Sequence, residues 1–197
     1  MVSLDDFTEI LFNELQIQQR VAQLACKIVQ DYEGKTLIVL GVMKGAAPFM
    51  QDLCREIYRK GLRGNGNIAV NVIEDIAIMS MYPSPDLQLD QPEQILGVSP
   101  AVPYEGNEVL IVEDIVDRGL TVMHLRQKVL LRTPTSVRVC SLLNKPSKRQ
   151  VDLPVDYVGF EVGDQFVVGY GLDYLEQYRH VPFIGVLKPE VYRSSGK

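Results

Sequence analysis

The sequence predicts an α/β protein with a mostly parallel central sheet and helices packed on its faces. Short continuous apolar runs, TLIVLGV at 36–42 and VLIV at 109–112, suit strands buried on both sides. They alternate with longer segments of 3.6-residue apolar period, which implies βαβ units and right-handed crossovers. Two of the runs end in polar, glycine-bearing stretches, VMKGA and VEDIVDRGLT. Ligands of such sheets bind outside the carboxyl ends of the strands, so these two ends are where chemistry is expected.

Residues 9–31 read as an amphipathic helix with Leu15, Val21, Leu24, Ala25, Ile28 and Val29 on its inner stripe. The strand at 36–42 leads through MKGA into a second helix, PFMQDLCREIYRKGL, which turns Phe49, Met50, Leu53, Cys54 and Ile57 inward. Residues 68–80 are another strand-like run. The segment from 108 is the third strand, TVMHLRQKVLL its helix, and TSVRVCSLLN at 135–144 the fourth strand. Residues 83–107 hold five prolines and little periodicity, which marks a long excursion of functional or mobile character. YVGFEV, QFVVGYG and FIGVL read as short strands of a small C-terminal lobe or hood.

The chain has 197 residues, enough for one domain with a substantial core, and its 46% hydrophobic and 23% charged content is ordinary for a globular protein. A net charge of −5 argues against nucleic acid and anionic membrane surfaces as partners. Acids crowd the N-terminus where a signal peptide needs basic residues, and no apolar run approaches the ~20 residues of a membrane span. Cys26, Cys54 and Cys140 lie far apart among apolar neighbours and read as free buried thiols of a reducing compartment. A cytoplasmic protein is expected. With only His124 and His180, and no zinc-ligand spacing, any metal is expected on carboxylates, which suits magnesium.

The stretch EVLIVEDIVDRGLTV at 108–122 holds a contradiction: a glycine turn ahead of a helix attracts anions, yet Glu113, Asp114 and Asp117 crowd it. A ligand that is anionic at one end and polyhydroxylated in its middle resolves it. Backbone N–H groups from Arg118 to Thr121 would hold a phosphate. The carboxylates just upstream would hold ribose hydroxyls, directly or through magnesium, and Asp117 would face the ring that leaves or enters at the sugar. The residues themselves thus point to a ribose 5-phosphate site.

Two acids followed by a D-x-G-x-T turn resemble the signature of the type I phosphoribosyltransferases. LGVMKGAAPFMQDLCREI resembles the pyrophosphate loop of their hypoxanthine-guanine branch, and YVGFEVGDQFVVGYGLDYLEQYR with FIGVLKPEVY resembles its purine-binding and C-terminal segment. Three separated motifs in order cover nearly the whole chain; a lone D-x-G-x-T match would be weak. The resemblance implies the type I phosphoribosyltransferase fold, with a core over about 30–150 and a hood from the N-terminal segment and 151–197. It implies that Glu113 and Asp114 bind the ribose hydroxyls or magnesium, and that Asp117, Arg118, Gly119, Leu120 and Thr121 bind the 5-phosphate. Asp117 would also serve as general base or proton relay at purine N7. Lys44 and Gly45 would bind pyrophosphate with Arg179. Lys145 would donate to the purine 6-oxo group, Phe166 would stack on the ring, the Val167 backbone would read its edge, and Asp173 would ligate a second magnesium. It further implies a cis peptide between Met43 and Lys44, and a homodimer or homotetramer.

Each role suits its residue. A lysine at O6 selects oxo purines, because adenine offers a donor there and two donors would face each other. Taken singly, a strand ending in acids is more often a solvated strand end, Lys44 a surface lysine, Phe166 core, and Arg179 beside Asp173 and Glu176 a surface ion pair of little weight. Their joint occurrence argues otherwise.

Two positions depart from the family pattern. Arg118 stands where threonine is usual, and either adds a bidentate phosphate contact or points to solvent. In the expected lid, IMSMYPSPDLQL, Tyr82 matches but Met81 replaces serine, and Pro83 and Pro85 follow. Prolines stiffen a hinge, and lid closure guards reactive intermediates, so a slower or leakier enzyme is expected, with Met81→Ser raising the ratio of transfer to hydrolysis. The expectation is an oxopurine salvage transferase acting on hypoxanthine or guanine and 5-phosphoribosyl 1-pyrophosphate with magnesium. The rival is a binding or regulatory protein that kept the ribose phosphate site and lost efficient catalysis. A dinucleotide-binding oxidoreductase would need a glycine-rich turn after the first strand, which is missing.

Overall fold

In the computed structural model, which describes residues 2–64, 66–80, 94–95 and 98–193, a six-stranded sheet carries the molecule. The chain runs through β1 (Phe7–Phe12), α1 (Glu14–Asp31), β2 (Thr36–Met43), α2 (Ala47–Gly61), β3 (Asn71–Ser80) and β4 (Gln94–Ile95). It continues through β5 (Glu108–Val116), α3 (Leu120–Leu130), β6 (Ser136–Asn144), β7 (Tyr157–Glu161), β8 (Val167–Val168), β9 (Ile184–Leu187) and α4 (Pro189–Arg193). The sheet order is β4-β3-β2-β5-β6-β7, with β3, β2, β5, β6 and β7 mutually parallel and β4 antiparallel on the β3 edge. Met81 and Tyr82, the expected lid residues, lie outside the described residues.

Alternation along the buried strands divides the core. Leu37, Val39, Leu110, Val112, Cys140 and Leu142 face α1 and α2, while Ile38, Leu40, Val109, Ile111, Val137 and Val139 face α3. Helix α1 packs Ile17, Val21, Leu24, Ala25, Ile28 and Val29 on the first layer. A side chain of valine or isoleucine size fully buried this way contributes about 1.5–3 kcal/mol.

The structure corrects four sequence expectations. Residues 9–12 are strand, not the first turns of α1: Asn13 caps the helix in a reciprocal pair with Gln16, so Leu15 falls outside the stripe and Ile17 inside. The run at 68–80 becomes regular strand only at Asn71, with Ile68 in an isolated bridge to Leu62. YVGFE belongs to the central sheet as β7, because Gly159 brings the strand so near Leu142 that a Cβ there would lie 2.3 Å from Leu142 O. Cys26 is exposed, on the helix face opposite the stripe, whereas Cys54 and Cys140 are buried; all three are free.

The remaining strands form a separate three-stranded antiparallel hood, β1-β9-β8, around Phe7, Val168, Tyr178, Val181 and Leu187. It leans over the carboxyl ends of the sheet through a close approach of Gly171 to the loop after β2: a Cβ on Gly171 would lie 2.0 Å from Gly45 O.

Candidate active site

Gly41 of β2 pairs with Val112 of β5, so the two polar strand ends emerge side by side. Past β2 the Met43–Lys44 peptide is cis, as expected. Gly45 then passes so close to β5 that a Cβ would lie 1.8 Å from Asp114 Oδ2. The lysine-glycine loop, the β5 acids and the hood turn at Gly171 therefore meet at one place.

The end of β5 is built of buried acids. Glu113 and Asp114 are 9% and 7% exposed. Burial pushes the Asp114 carboxyl up, opposed by hydrogen bonding with the Glu113 side chain and by the Ile115 N–H, which donates to Oδ1 at 2.7 Å. Asp117 follows at the turn, partly buried, and its Oδ1 is fully buried without a hydrogen-bond partner among the described residues. Gly119 holds φ 84°, a left-handed conformation that side-chain-bearing residues adopt only at a cost, and it opens α3 with no side-chain cap. A helix start of that kind presents backbone amides to an anion. The Arg118 side chain is exposed to solvent.

On the opposite wall Lys145 is 7% exposed and donates from Nζ to Gln165 O at 2.8 Å, which leaves further ammonium N–H groups to offer. Burial pushes its pKa down, with the nearby Asp117 charge pulling it back up. Next to Gln165, Phe166 is 38% exposed; its ring stacks on Tyr192 at 4.9 Å and meets Tyr174 edge-on at 5.8 Å. Phe166 O accepts from Leu187 N–H. The alternation of an antiparallel ladder then turns the N–H and C=O of Val167 away from β9, toward the open edge of β8.

The third wall is a charge cluster. Arg179 donates from Nη1 to Gly171 O at 2.7 Å and pairs through Nη2 with Asp173 at 2.7 Å and Glu176 at 3.2 Å. Lys44 Nζ reaches the other oxygen of Glu176 at 2.7 Å. One carboxylate thus spans the two cations expected to receive pyrophosphate.

Residues 8–175 match the phosphoribosyl transferase domain family. The chain belongs to the phosphoribosyltransferase family. It is 39% identical to the hypoxanthine-guanine phosphoribosyltransferase of Bacillus subtilis over 96% of this chain and 98% of that protein. It is 37% identical to the hypoxanthine phosphoribosyltransferase of Salmonella typhimurium over 90% and 93%. Among solved structures, the Staphylococcus aureus hypoxanthine phosphoribosyltransferase superposes with a TM-score of 0.82 at 36% identity, covering 98% of both chains.

In this phosphoribosyltransferase the loop after β2, the acids of β5 and the hood turn at Gly171 come together, and Lys145 lies near Asp117. Glu113 or Asp114 was expected to hold one magnesium and Asp173 a second; among the described residues no three His, Cys, Asp or Glu side chains gather into a single cation-binding group, which two separate sites do not require. Asp173 pairs with Arg179 and accepts from the Glu176 N–H, which donates to its Oδ2 at 2.9 Å. Buried carboxylates without a cage fit magnesium, which keeps one or two protein carboxylates and takes its other oxygens from phosphate and water. Three contributors were not singled out from the sequence. Glu176 bridges the cations, Gly171 gives the hood its close approach, and Arg149 lies against the phosphate turn, where a Cβ on Gly119 would be 2.9 Å from its Nη1. Two had a local trace: Glu176 its place three residues before Arg179, and Arg149 the basic run K-P-S-K-R that Lys145 opens.

Proposed function

We propose that this phosphoribosyltransferase moves the 5-phosphoribosyl group from 5-phosphoribosyl 1-pyrophosphate to N9 of hypoxanthine or guanine. The products are the nucleoside 5-monophosphate and pyrophosphate. The contact of Gly45 with Asp114 on one side and Gly171 on the other carries the reading, because it brings pyrophosphate loop, ribose acids and purine shelf around one ligand-sized place.

The roles follow from the groups present. The α3 start from Asp117 to Thr121 binds the 5-phosphate, and Glu113 and Asp114 hold the ribose 2- and 3-hydroxyls. Lys44, Gly45 and Arg179 receive the pyrophosphate, which displaces Glu176 from the two cations. Phe166 supports the purine, the outward Val167 backbone reads its edge, and Lys145 donates to the 6-oxo oxygen. Asp117 exchanges a proton at N7, so that N9 attacks the anomeric carbon as the bond to pyrophosphate breaks. Magnesium on Glu113 or Asp114, and on Asp173, would neutralise the departing pyrophosphate. Orientation by the two shelves supplies much of the rate, since holding reactants together replaces lost encounter entropy.

The setting proposed is cytoplasmic, and no helix among the described residues is long and apolar enough to cross a membrane. A homodimer or homotetramer is proposed as well; Tyr58, Leu62, Ile68, Ile76 and Ile78 stay about half-exposed on α2, β3 and the segment joining them, which suits a covered surface.

The test is a magnesium-dependent transfer assay with hypoxanthine, guanine, xanthine and adenine offered singly, and Asp117→Asn in parallel. Turnover is expected with 6-oxo purines and not with adenine, and the variant should lose on the order of 10²–10⁴ in kcat. Absence of turnover with every purine, alongside binding of the sugar pyrophosphate, would replace the transferase by a binding protein.

A further inference from the structure

Arg149 belongs to no recognised motif, yet its side chain packs against Gly119 in the proposed phosphate turn. The segment after β6 is tied to this turn by two bonds, Lys145 N–H donating to Val116 O at 2.9 Å and Gln150 N–H to Arg118 O at 3.0 Å, while Arg149 Nη2 donates back to Asn144 Oδ1 at the end of β6 at 2.5 Å. The guanidinium fills the space a side chain on Gly119 would take, with Nη1 2.9 Å and Cδ 3.0 Å from that Cβ position. Gly119 is therefore demanded twice, by its left-handed backbone and by this packing.

Two buried atoms remain unmatched there. Arg149 Nη1 and Asp117 Oδ1 are both sealed from solvent and without a hydrogen-bond partner among the described residues. One is a donor on a cation and the other an acceptor on a carboxylate, and leaving either unpaired in a protein interior is costly. The charges feel one another: burial lowers the Arg149 pKa and Asp117 raises it again.

The geometry points to Arg149 as a positioning residue for Asp117. Anchored on Asn144 and wedged under Gly119, it holds the turn from below and offers its spare N–H to the carboxylate that works at the purine. A guanidinium suits the task because its rigid fork serves two partners in fixed directions, which a lysine cannot do. Such contacts are commonly loose without substrate and tighten in the reacting complex. Arg149 touches no reacting atom in this account, and the inference rests on the proposed role of Asp117.

A double-mutant cycle tests it, with kcat and KM of the full-length enzyme measured for Arg149→Met, Asp117→Asn and the pair, and folding checked by thermal unfolding. Arg149→Met is expected to lower kcat on the order of 30-fold, as misplacing a reacting group does, and less than about 3-fold once Asp117 is already Asn. Arg149→Lys should recover only part of the loss. Should Arg149→Met fail to fold, Arg149→Lys and Asn144→Ala carry the same cycle with smaller expected losses. Equal losses in both backgrounds would make Arg149 merely structural and overturn the proposal. So would an unchanged kcat with a raised KM for the sugar pyrophosphate, which would make it a phosphate ligand. If Asp117→Asn alone leaves turnover intact, the role of Asp117 itself falls and this inference with it.

Discussion

The two ends of β5 carry the same chemistry under opposite conditions. At its start Glu108 is 7% exposed, pairs with Lys35 Nζ at 2.8 Å and accepts from the Ser136 hydroxyl. At its end Asp114 is equally buried, but no lysine or arginine pairs directly with it among the described residues. Burial pushes both carboxyls up. The Lys35 and Ser136 bonds outweigh that at Glu108 and hold it below the usual range, whereas Asp114 stays raised. One end of the strand is finished as structure. The other is left short of positive charge, which suits the cation and the polyhydroxylated ligand proposed for it.

If that contrast is sound, substitutions at the two ends should separate activity from stability. A larger effect than at either end of β5 is expected at Lys145, the buried cation that follows β6 and lies near Asp117. Lys145→Met removes the charged donor proposed to meet the purine, and kcat/KM for hypoxanthine should fall on the order of 100-fold, the worth of a hydrogen bond to a charged group. Thermal stability should hold or rise, because burial already disfavours the charge. A variant that lost stability along with activity would place Lys145 in the fold instead.

Asp114→Asn comes next. An amide keeps the acceptor for Ile115 N–H and sheds the buried charge, so activity should drop about tenfold or more while Tm at neutral pH rises by roughly 2–4 °C. The sign follows from linkage. A carboxyl whose folded pKa is raised costs stability as pH climbs from its unfolded value of 3.8 through the folded one. The gain in Tm should therefore be present at pH 7 and absent at pH 3, and the reverse order would break the comparison.

What the sequence disclosed and what it withheld divide along a similar line. The buried strands were legible because a parallel sheet covered on both faces leaves uninterrupted apolar runs. The left-handed glycine turn that opens α3 was legible because glycine, acid and helix start lie within a few residues, so local chemistry specifies it. The β1–α1 boundary was not, since ILF before Asn13 satisfies either period and its partner strand Ile184–Leu187 lies at the other end of the chain. The site followed the same rule. Lys44, Asp114, Lys145 and Phe166 sit in recognisable local patterns, but the Glu176 bridge, the Gly171 approach and the place of Arg149 under Gly119 exist only once distant segments pack.

The smallest expected effect lies at the finished end of the strand and has the opposite sign. Glu108→Gln cannot pair with Lys35, and it should cost about 1 kcal/mol at pH 7, at the low end for a charged hydrogen bond because the Lys35 side chain is 49% exposed and screened by water. Glu108 has a folded pKa held below its ordinary 4.5, so its stabilisation is fully present above that value and is lost as pH falls through the folded one. Urea midpoints of variant and parent should therefore differ at pH 7 and at pH 5.5 and draw together as pH falls toward 3, while kcat and KM stay unchanged at pH 7. A gap that persisted undiminished at pH 3 would mean that the loss comes from packing of the shorter-range contacts around Ser136 and not from the carboxylate. A fall in kcat would mean that the two ends of β5 are coupled, and that the division between structural and functional acid is wrong.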